Sequence, residues 1–404
     1  MKIKDLKAIE ILDSRGFPTV FVKMWFDNGL KTEASVPSGA STGSNEALEL
    51  RDNNDRYMGK GVLKAVNNIN TIIKDKIVNK DFFDIYEFDK VLLDLDDTEN
   101  KSNLGANAIL ACSLAFFKGL AKNSNKELYE IFNNCSYKMP KCMLNILNGG
   151  MHASNNIDIQ EFMIVPNRKK IGEQLQIASE VFHNLKKILE MEGLNTSVGD
   201  EGGFAPNLSS NKEALDLIME AIKKAGYTPG SDVHLALDVA ATSLYEDGKY
   251  NIDGMKLDFD EMLNYYKKLI ENYPIISIED PLYEEDFTGF AKMTSMFNIK
   301  IVGDDLFTTN VKLLEKGIKE NAANTILIKA NQIGSVSETL NAIKLAKENN
   351  YDIIISHRSG ETLDTFIADF AVGLNIPMIK AGSISRGERI CKYNRLLEIE
   401  SELE

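Results

Sequence analysis

The chain has 404 residues, of which 46 are Lys or Arg and 60 are Asp or Glu, so its formal net charge is −14 at pH 7. With 44% hydrophobic and 26% charged residues, the composition is that of a globular protein, and it excludes a disordered tail, a collagen-like rod and a membrane channel. The acidic balance argues against non-specific nucleic-acid binding, which depends on clustered Lys and Arg. This length predicts one large barrel or two domains.

The N-terminal segment and the cysteines indicate a cellular compartment. Residues 1–7 alternate charged and apolar side chains and lack the apolar run of a signal peptide. The longest mostly apolar run, residues 108–117, is far shorter than the roughly 20 residues of a membrane span. No Cys-x-x-Cys spacing occurs among the four cysteines, which argues against a disulfide framework and a zinc site. We therefore expect a cytoplasmic protein with reduced cysteines and no membrane span.

The first third of the chain predicts a small mixed domain. Residues 3–26 predict two strands around the turn Asp13-Ser14-Arg15-Gly16, and residues 60–75 and 103–122 have helical periodicity. A polar, Asn-rich stretch then ends in Lys-Met-Pro at residue 140. We place a domain boundary there, with an N-terminal α+β capping domain over residues 1–134 and a barrel domain over residues 135–404.

The second part of the chain repeats one unit. Short β-branched runs alternate with amphipathic helical stretches, and each run ends on a charged or titratable residue: Asp238, Glu279, Asp304, Lys329, His357 and Lys380. A strand, a helix and two loops need about 20–30 residues, which fits the spacing between these ends. The pattern predicts a (β/α)8-like barrel. A doubly wound open sheet is the alternative, but no Gly-x-Gly-x-x-Gly follows any of these runs.

The strand-end residues predict a reaction. In such a barrel the C-terminal strand ends form the active site. A single polar strand end is an ordinary turn residue, but six in succession are not explained in that way. Three carboxylates that converge on one small volume favour a hard divalent cation such as Mg²⁺. The following Lys329 is a candidate base, and Arg358 and Lys380 suit phosphate or carboxylate. The sequence therefore predicts metal-assisted removal of a proton beside a carboxylate, on a phosphorylated substrate.

Two Gly-rich segments carry further polar residues. Residues 198–207 contain the pair Asp200-Glu201, and residues 148–153 contain His152 and precede Gln160-Glu161. Gly and Asp are common in turns, so each segment alone would be read as a surface loop.

Taken together, the motifs resemble those of the enolases, the phosphopyruvate hydratases of glycolysis. The matching stretches follow the family order over nearly the whole chain. They are Asp13-Ser14-Arg15-Gly16, residues 36–43, residues 148–153, Gln160-Glu161-Phe162-Met163, residues 199–203, residues 277–281, Asp304-Asp305-Leu306, residues 329–334 and residues 356–362. The flanking residues are more similar to bacterial members than to animal members.

This resemblance implies an α/β barrel of the enolase type and a role for each matching residue. Asp238, Glu279 and Asp304 match the ligands of a first Mg²⁺, and Ser41 matches the residue that binds a second Mg²⁺ arriving with substrate. Lys329 matches the base that removes the C2 proton of 2-phosphoglycerate. Glu201 matches the acid that assists loss of the C3 hydroxyl. Arg358 and Ser359 match contacts to the phosphate, and Lys380 matches a contact to the substrate carboxylate. The other implied catalytic and substrate contacts are Glu161, His152, Gln160 and His357.

The resemblance also implies the protonation states and the partners. Lys329 would have to be neutral, with its pKa lowered by the nearby cations, and Glu201 would have to be protonated in the forward direction. Two Mg²⁺ would stabilise the charge that develops on the substrate carboxylate, a use of metal that is precedent for this superfamily. We expect a homodimer or homo-octamer that acts on 2-phosphoglycerate and phosphoenolpyruvate and binds no nucleic acid.

Three other readings remain at this point. Residues 39–43 also fit Gly-x-Ser-x-Gly, which would make Ser41 the nucleophile and His357 the base of a serine hydrolase, although that motif needs a sheet built before it. A non-catalytic scaffold or binding paralogue would have lost a base or metal ligand, and none is lost here. A dehydratase of a phosphonate analogue would share all these residues.

Overall fold

The structure is a computed structural model that describes residues 1–40, 42–132 and 136–404. Ser41 lies outside the described residues, and so do the predicted boundary at residues 134 and 135 and Cys135. The second-metal assignment of Ser41 and that boundary therefore stay predictions.

The N-terminal part is a three-stranded antiparallel sheet covered by helices. Its strands, in sheet order, are β1 (Ile3–Leu12), β2 (Pro18–Phe26) and β3 (Lys31–Ser35). The helices are α1 (Leu63–Asn68), α2 (Lys74–Ile77), α3 (Ile85–Asp96) and α4 (Ala106–Asn123), and one π-helical turn, Ile69–Ile73, joins α1 to α2. The predicted strands at 3–26 and helices at 60–75 and 103–122 are all found.

Helix α4 is the centre of this domain. It is apolar around most of its circumference because it packs against β2 and β3 on one side and against α3 on another. The Phe116 ring stacks on Phe88 of α3, with ring centroids 4.2 Å apart. The apolar run at residues 108–117 is thus a core helix, and no described helix is both long and apolar enough to cross a membrane.

The C-terminal part is a closed barrel of eight strands. In chain order they are β4 (Lys141–Asn148), β5 (Glu161–Pro166), β6 (Val233–Asp238), β10 (Ile275–Glu279), β11 (Lys300–Gly303), β12 (Thr325–Ile328), β13 (Asp352–Ser356) and β14 (Met378–Lys380). They pair in that order and β14 closes onto β4. The predicted barrel is confirmed, and the open-sheet alternative is wrong.

Helices surround the barrel. They are α5 (Ile171–Met191), α6 (Asn211–Lys224), α7 (Phe259–Asn272), α8 (Phe287–Met296), α9 (Val311–Glu320), α10 (Ala330–Ile333), α11 (Val336–Glu348), α12 (Phe366–Gly373) and α13 (Gly387–Leu403). A small side sheet comprises β7 (Tyr245–Glu246), β8 (Lys249–Ile252) and β9 (Met255–Leu257). Several helices begin where the sequence supplies a cap, as in the capping box of Asp258 and Glu261 at α7.

The barrel departs from the regular repeat at β5. This strand is antiparallel to both of its neighbours, β4 and β6, whereas the other neighbouring pairs are parallel. A hairpin joins β4 to β5, and α5 and α6 then precede β6. The sequence pattern predicts parallel units throughout and does not reveal this reversal. Its consequence is that the start of β5, at Glu161, lies beside the ends of the parallel strands.

Strand periodicity divides the barrel interior into two layers. The floor layer is a buried apolar cluster of Met143, Met163, Val165, Ala236, Val302, Leu327, Ile354 and Met378. Side chains two residues apart on a strand share a face. The same face therefore presents polar side chains two residues nearer the C-terminal end of each parallel strand. On the reversed strand β5, the corresponding position lies two residues before Met163. This mouth layer comprises Asn145, Glu161, Asp238, Asp304, Lys329, Ser356 and Lys380. Glu279 belongs to it as well, because it is in register with Asp238 on the neighbouring strand β10.

The N-terminal domain contacts the mouth of the barrel through the segment before residue 41. The backbone N–H of Ser38 donates to the Gly360 carbonyl at 2.7 Å, and that of Gly360 donates to the Ser38 carbonyl at 2.9 Å. A Cβ at Gly360 would lie 2.4 Å from the side chains of Ser38 and Asp13, so only glycine allows this approach. The segment that precedes residue 41 thus lies directly at the barrel mouth.

Candidate active site

A small polar cavity of about 250 Å³ lies at the mouth of the barrel. It is lined by His152, Gln160, Glu161, Glu201, Asp238, Lys329, Ser356, His357, Arg358, Ser359 and Lys380. All of these residues except Ser356 were singled out from the sequence. The remaining described candidates, Glu279 and Asp304, bind lysines of the cavity wall, so the structure brings every described candidate to one site.

Three carboxylates stand side by side across neighbouring strands. Glu161 on β5 is in register with Asp238 on β6, and Asp238 is in register with Glu279 on β10. Like charges placed directly opposite each other destabilise a sheet unless a cation lies between them. Lys380 supplies it: its Nζ lies 3.1 Å from Glu161, 3.0 Å from Asp238 and 2.9 Å from Glu279.

Lys380 was expected to contact the substrate carboxylate, but here it binds the acids that were expected to bind metal. Lys329 likewise pairs with Asp304, the third expected ligand. Two ammonium groups therefore pair with the predicted ligand set.

These pairings shift the pKa values of the predicted metal ligands and of Lys329. Burial and the charge of Asp238 raise the pKa of Glu279. Burial alone would raise the pKa of Asp304, but the Lys329 ammonium holds it below its usual value. Burial opposes the charge on Lys329, yet Asp304 raises the pKa of Lys329 above its usual value. The expected lowering of the Lys329 pKa is thus not found, because the lysine pairs with a carboxylate rather than facing cations.

The donor set fits a hard divalent cation. The groups of metal-capable side chains whose ligand atoms lie within 4.8 Å are His152, Glu161 and Glu201, and Asp280, Asp304 and Asp305, among the described residues. Asp304 belongs to the second group, whereas Asp238 and Glu279 belong to neither, and their oxygens instead surround the Lys380 ammonium. Buried carboxylate oxygens are the ligands that Mg²⁺ prefers. The acids of the mouth could therefore hold a metal once the two lysines withdraw from them.

The other side of the cavity is an acid pair between two histidines. His152 Nδ1 lies 3.5 Å from both Glu161 Oε1 and Glu201 Oε2, and His357 Nε2 lies 3.5 Å from Glu201 Oε1. Asn145 Nδ2 donates to Glu201 Oε2 at 3.0 Å. The turn that carries Glu201 needs glycine at residue 202, where φ is +89° and a Cβ would lie 2.6 Å from the Ser385 hydroxyl.

This pair shares its protons unequally. Burial and the charge of Glu201 raise the pKa of Glu161. Burial alone would also raise the pKa of Glu201, but its interactions with His152 and His357 lower it well below its usual value. We therefore expect the proton of this pair on Glu161, the reverse of the protonated Glu201 that was expected from the sequence. Coupled carboxylates titrate as a pair, so a changed charge nearby can move the proton.

Several buried polar atoms of the cavity have no hydrogen-bond partner. They are Gln160 Oε1, Glu161 Oε2, His152 Nδ1 and His357 Nε2. Buried polar atoms are rarely left unpaired in folded proteins. Their convergence on one cavity therefore indicates a polar ligand.

Arg358 and Ser359 form the third side of the cavity, next to the loop from the N-terminal domain. The Arg358 guanidinium binds both carboxylate oxygens of Glu46, at 3.0 and 3.1 Å, and donates to Asn331 Oδ1 at 3.1 Å. The Ser359 hydroxyl accepts the backbone N–H of Ala40 at 2.7 Å. Both candidates for phosphate binding therefore hold the loop that leads through residue 41.

Some residues of the site were missed by sequence reasoning. Asn145 could have been found from the strand period, because it follows the floor residue Met143 by two positions. Glu46 lies in a loop and Arg389 on the terminal helix α13, and neither carries a pattern that separates it from surface charges. Only the fold reveals that Arg389 is fully buried.

A larger groove of about 1,090 Å³ runs between β1 and residues 361–365. It contains none of the candidate residues, and its walls mix the exposed apolar side chains of Leu12 and Leu363 with charged ones. It therefore lacks the metal-capable acids and the base of the barrel mouth.

Comparison with protein-family models gives two adjoining matches. Residues 3–132 match the model described as "Enolase, N-terminal domain". Residues 136–404 match the model described as "Enolase, C-terminal TIM barrel domain". The fold class expected from the motifs is confirmed by these matches and by the closed barrel.

Proposed function

Since the chain belongs to the enolase family, we propose that it catalyses the reversible, Mg²⁺-dependent dehydration of 2-phosphoglycerate to phosphoenolpyruvate, in glycolysis and gluconeogenesis. Such an enzyme is a carbon–oxygen lyase. The observation that carries the proposal is the single buried cavity in which Lys329 and Glu201 line the same space as Arg358, Ser359 and the row of carboxylates.

In the first step, Lys329 removes the proton at C2. This proton is only weakly acidic, because its loss leaves a doubly charged enediolate next to the phosphate. Two Mg²⁺ ions, held by Asp238, Glu279, Asp304 and Ser41, would supply the positive charge that stabilises the enediolate. Lys329 can accept the proton only after it has left Asp304 and lost its own proton.

In the second step, Glu201 assists the loss of the C3 hydroxyl. A carboxylic acid at this position gives its proton to the leaving hydroxyl, the C3–O bond breaks, and water departs. Glu161 lies beside Glu201 as the partner with which it shares a proton. His152 and Gln160 have unpaired polar atoms in the cavity and can donate to or accept from the substrate.

The third set of residues binds the anionic ends of the substrate. Arg358 and Ser359 are assigned to the phosphate, because a guanidinium offers paired donors to phosphate oxygens. His357 is assigned as a polar contact, and Lys380 as the contact to the substrate carboxylate once metal has replaced it among the acids. The loop through Ser41 would close over the substrate and exclude water.

We further propose a cytoplasmic homodimer or homo-octamer, related more closely to bacterial members than to animal ones. The residues that flank the motifs support the bacterial likeness, and membership of the enolase family supports the location and the oligomeric state.

A dehydratase of a phosphonate analogue is the main competitor, because the cavity residues would serve it equally well. A spectrophotometric assay separates the two, since the conjugated product absorbs in the ultraviolet. We expect the purified protein to convert 2-phosphoglycerate with a kcat/KM far above that for the phosphonate analogue. A preference for the phosphonate would replace the proposed substrate, and no turnover of either compound would favour a binding or scaffold protein.

A further inference from the structure

Arg389 is a fully buried cation outside the residues assigned to the reaction. It lies in the first turn of α13, and its side chain is among the largest that are completely enclosed. Its guanidinium does not pair with a carboxylate of the cavity. Instead, its terminal nitrogens donate hydrogen bonds to backbone carbonyls of the active-site loops and to the ring of His357.

All four terminal N–H groups of Arg389 have an acceptor. Nη1 donates to His357 Nδ1 and to the Arg358 carbonyl, both at 2.6 Å. Nη2 donates to the Ser359 carbonyl at 2.6 Å and to the Asp200 carbonyl at 3.1 Å. One side chain thus ties the loop after β13 to the residue that precedes Glu201.

The contact with His357 determines where the ring proton lies. A guanidinium has five donors and no acceptor, so a ring nitrogen that faces it must accept. Nδ1 of His357 is therefore unprotonated, and the single proton of a neutral ring must be on Nε2. That nitrogen has no hydrogen-bond partner and lies 3.5 Å from Glu201 Oε1, in the wall of the cavity.

We propose that Arg389 is a positioning residue that fixes His357 as the neutral tautomer with its proton on Nε2, and thereby turns this N–H towards Glu201 and the group that leaves beside it. The catalytic consequence rests on the proposed function, whereas the tautomer does not.

The groups around His357 agree with a neutral ring. Glu201 faces it from one loop, Arg389 from α13, and Lys329 and Lys380 from the ends of two strands. Burial lowers the pKa of His357 well below its usual value, and the three cations lower it further, while Glu201 alone opposes them.

The neutral tautomer has a use in the dehydration. When Glu201 has given its proton to the C3 hydroxyl and water has left, it remains as a buried carboxylate. An N–H that points at this carboxylate stabilises the charge as it forms. A ring with its proton on Nδ1 would instead present a lone pair to this carboxylate.

The wild-type protein tests the tautomer directly. The chain has only four histidines, so ¹⁵N-labelled histidine gives four pairs of ring-nitrogen signals, and His357 is identified by the pair that disappears in His357→Asn. We expect its Nε2 to carry the proton and its Nδ1 to stay unprotonated between about pH 6 and pH 8, where an ordinary histidine changes its charge. A proton on Nδ1, or a ring that becomes doubly protonated in this range, would overturn the proposal.

Variants test the consequence. Arg389→Met should abolish the fixed tautomer and lower kcat for dehydration by about 10- to 100-fold with little change in KM, because it removes a charge-assisted hydrogen bond that orients the donor. Arg389→Lys keeps one donor and should keep the Nε2–H signal with an intermediate kcat. An unchanged kcat in Arg389→Met, or an unchanged ring signal, would contradict the positioning role.

Arg395→Met is the matched control. Arg395 lies on the same helix, α13, and pairs with Asp369 and Glu127, each at 2.8 Å, away from the cavity. We expect it to lower stability while leaving the His357 signal and kcat as in the wild type. If Arg395→Met changed them as Arg389→Met does, the effect would belong to the helix and not to the contact with His357. Absence of 2-phosphoglycerate turnover in the wild type would refute the proposed function and leave the ring measurement standing.

Discussion

The floor layer and the mouth layer of the barrel lie two residues apart on the same strands but have opposite chemistry. The floor is a set of buried apolar side chains, such as Leu327 and Ile354, whose removal from water stabilises the fold. The mouth is equally buried, yet it holds Glu161, Asp238 and Glu279 in one row around a single ammonium group. Burying several charges in this way costs stability even when they are paired. The same strands therefore stabilise the fold through the floor layer and position the reactive side chains in the mouth layer.

We therefore expect substitutions in the two layers to have different effects. Changes in the mouth should lower activity far more than stability, and changes in the floor should do the reverse.

Lys329→Ala should have the largest effect. We expect kcat to fall by about 10⁴-fold, because the variant removes the base, and exchange of the C2 proton with solvent to stop. NMR in deuterated water measures the exchange and the spectrophotometric assay measures kcat. Lys300→Ala is the control, since Lys300 begins β11 at the opposite end of the barrel and pairs with Asp352. Continued C2 exchange in Lys329→Ala would assign the base elsewhere.

Glu201→Gln should come next and should separate the two chemical steps. We expect dehydration to fall by about 10³-fold while C2 exchange largely persists, because the amide has no acidic proton for the leaving hydroxyl. The same two assays apply, with the exposed Glu220→Gln as control. Equal loss of exchange and dehydration would show that Glu201 acts before the C3–O bond breaks.

Leu327→Ala tests the floor. Leu327 is fully buried, two residues before Lys329, so its truncation leaves a cavity and should lower the free energy of unfolding by about 3 kcal/mol. Urea unfolding measures this loss. We expect kcat to change less than about threefold at a temperature where the variant is folded, because the mouth contacts are retained. A fall in kcat as large as that of Glu201→Gln would mean that the layers are not independent.

Asp89→Asn should have the smallest effect and concerns a buried carboxylate outside the mouth. Asp89 lies on α3, where it accepts the backbone N–H of Ser337 at the start of α11. Burial raises its pKa to about 6, from the usual value of 3.8, although the hydroxyls of Ser113 and Ser337 oppose the shift. The native state therefore binds this proton more tightly than the unfolded chain does.

The stability that comes from protonated Asp89 is complete below about pH 4 and is lost as the pH rises through about 6. Asparagine stays neutral at every pH. We expect the free energy of unfolding of Asp89→Asn, relative to the wild type, to rise by about 2 kcal/mol between pH 4 and pH 7, with kcat unchanged. A constant difference across this pH range would show that Asp89 titrates normally.

The sequence predicted the mouth layer better than it predicted the interactions within it. Strand ends at Asp238, Glu279 and Lys329 were recognisable because the β-branched runs before them fix the strand period. Glu161 was found only through the resemblance, because β5 runs backwards and presents its first residue to the mouth. The reversal depends on a hairpin that closes against two neighbours, and no local pattern encodes it.

The pairings could not be predicted for a different reason. Lys380 binds three carboxylates and Lys329 binds Asp304, so both lysines occupy positions where the sequence analysis placed metal and substrate. Such contacts depend on distances across the barrel and on whether metal is bound. Arg389 is similar: its sequence context is that of a charged surface helix, and only the packing of α13 under the site buries it.

The proposed mechanism requires that metal replaces the lysines among the acids before Lys329 acts as a base. Its most direct test is exchange of the C2 proton of 2-phosphoglycerate by the wild-type protein, measured after chelation and again after Mg²⁺ is restored. We expect exchange and phosphoenolpyruvate formation to vanish together after chelation and to return together when Mg²⁺ is restored. The reason is that metal bound by the acids would release Lys329 from its pairing with Asp304. Exchange that continues at an undiminished rate after chelation would contradict the account.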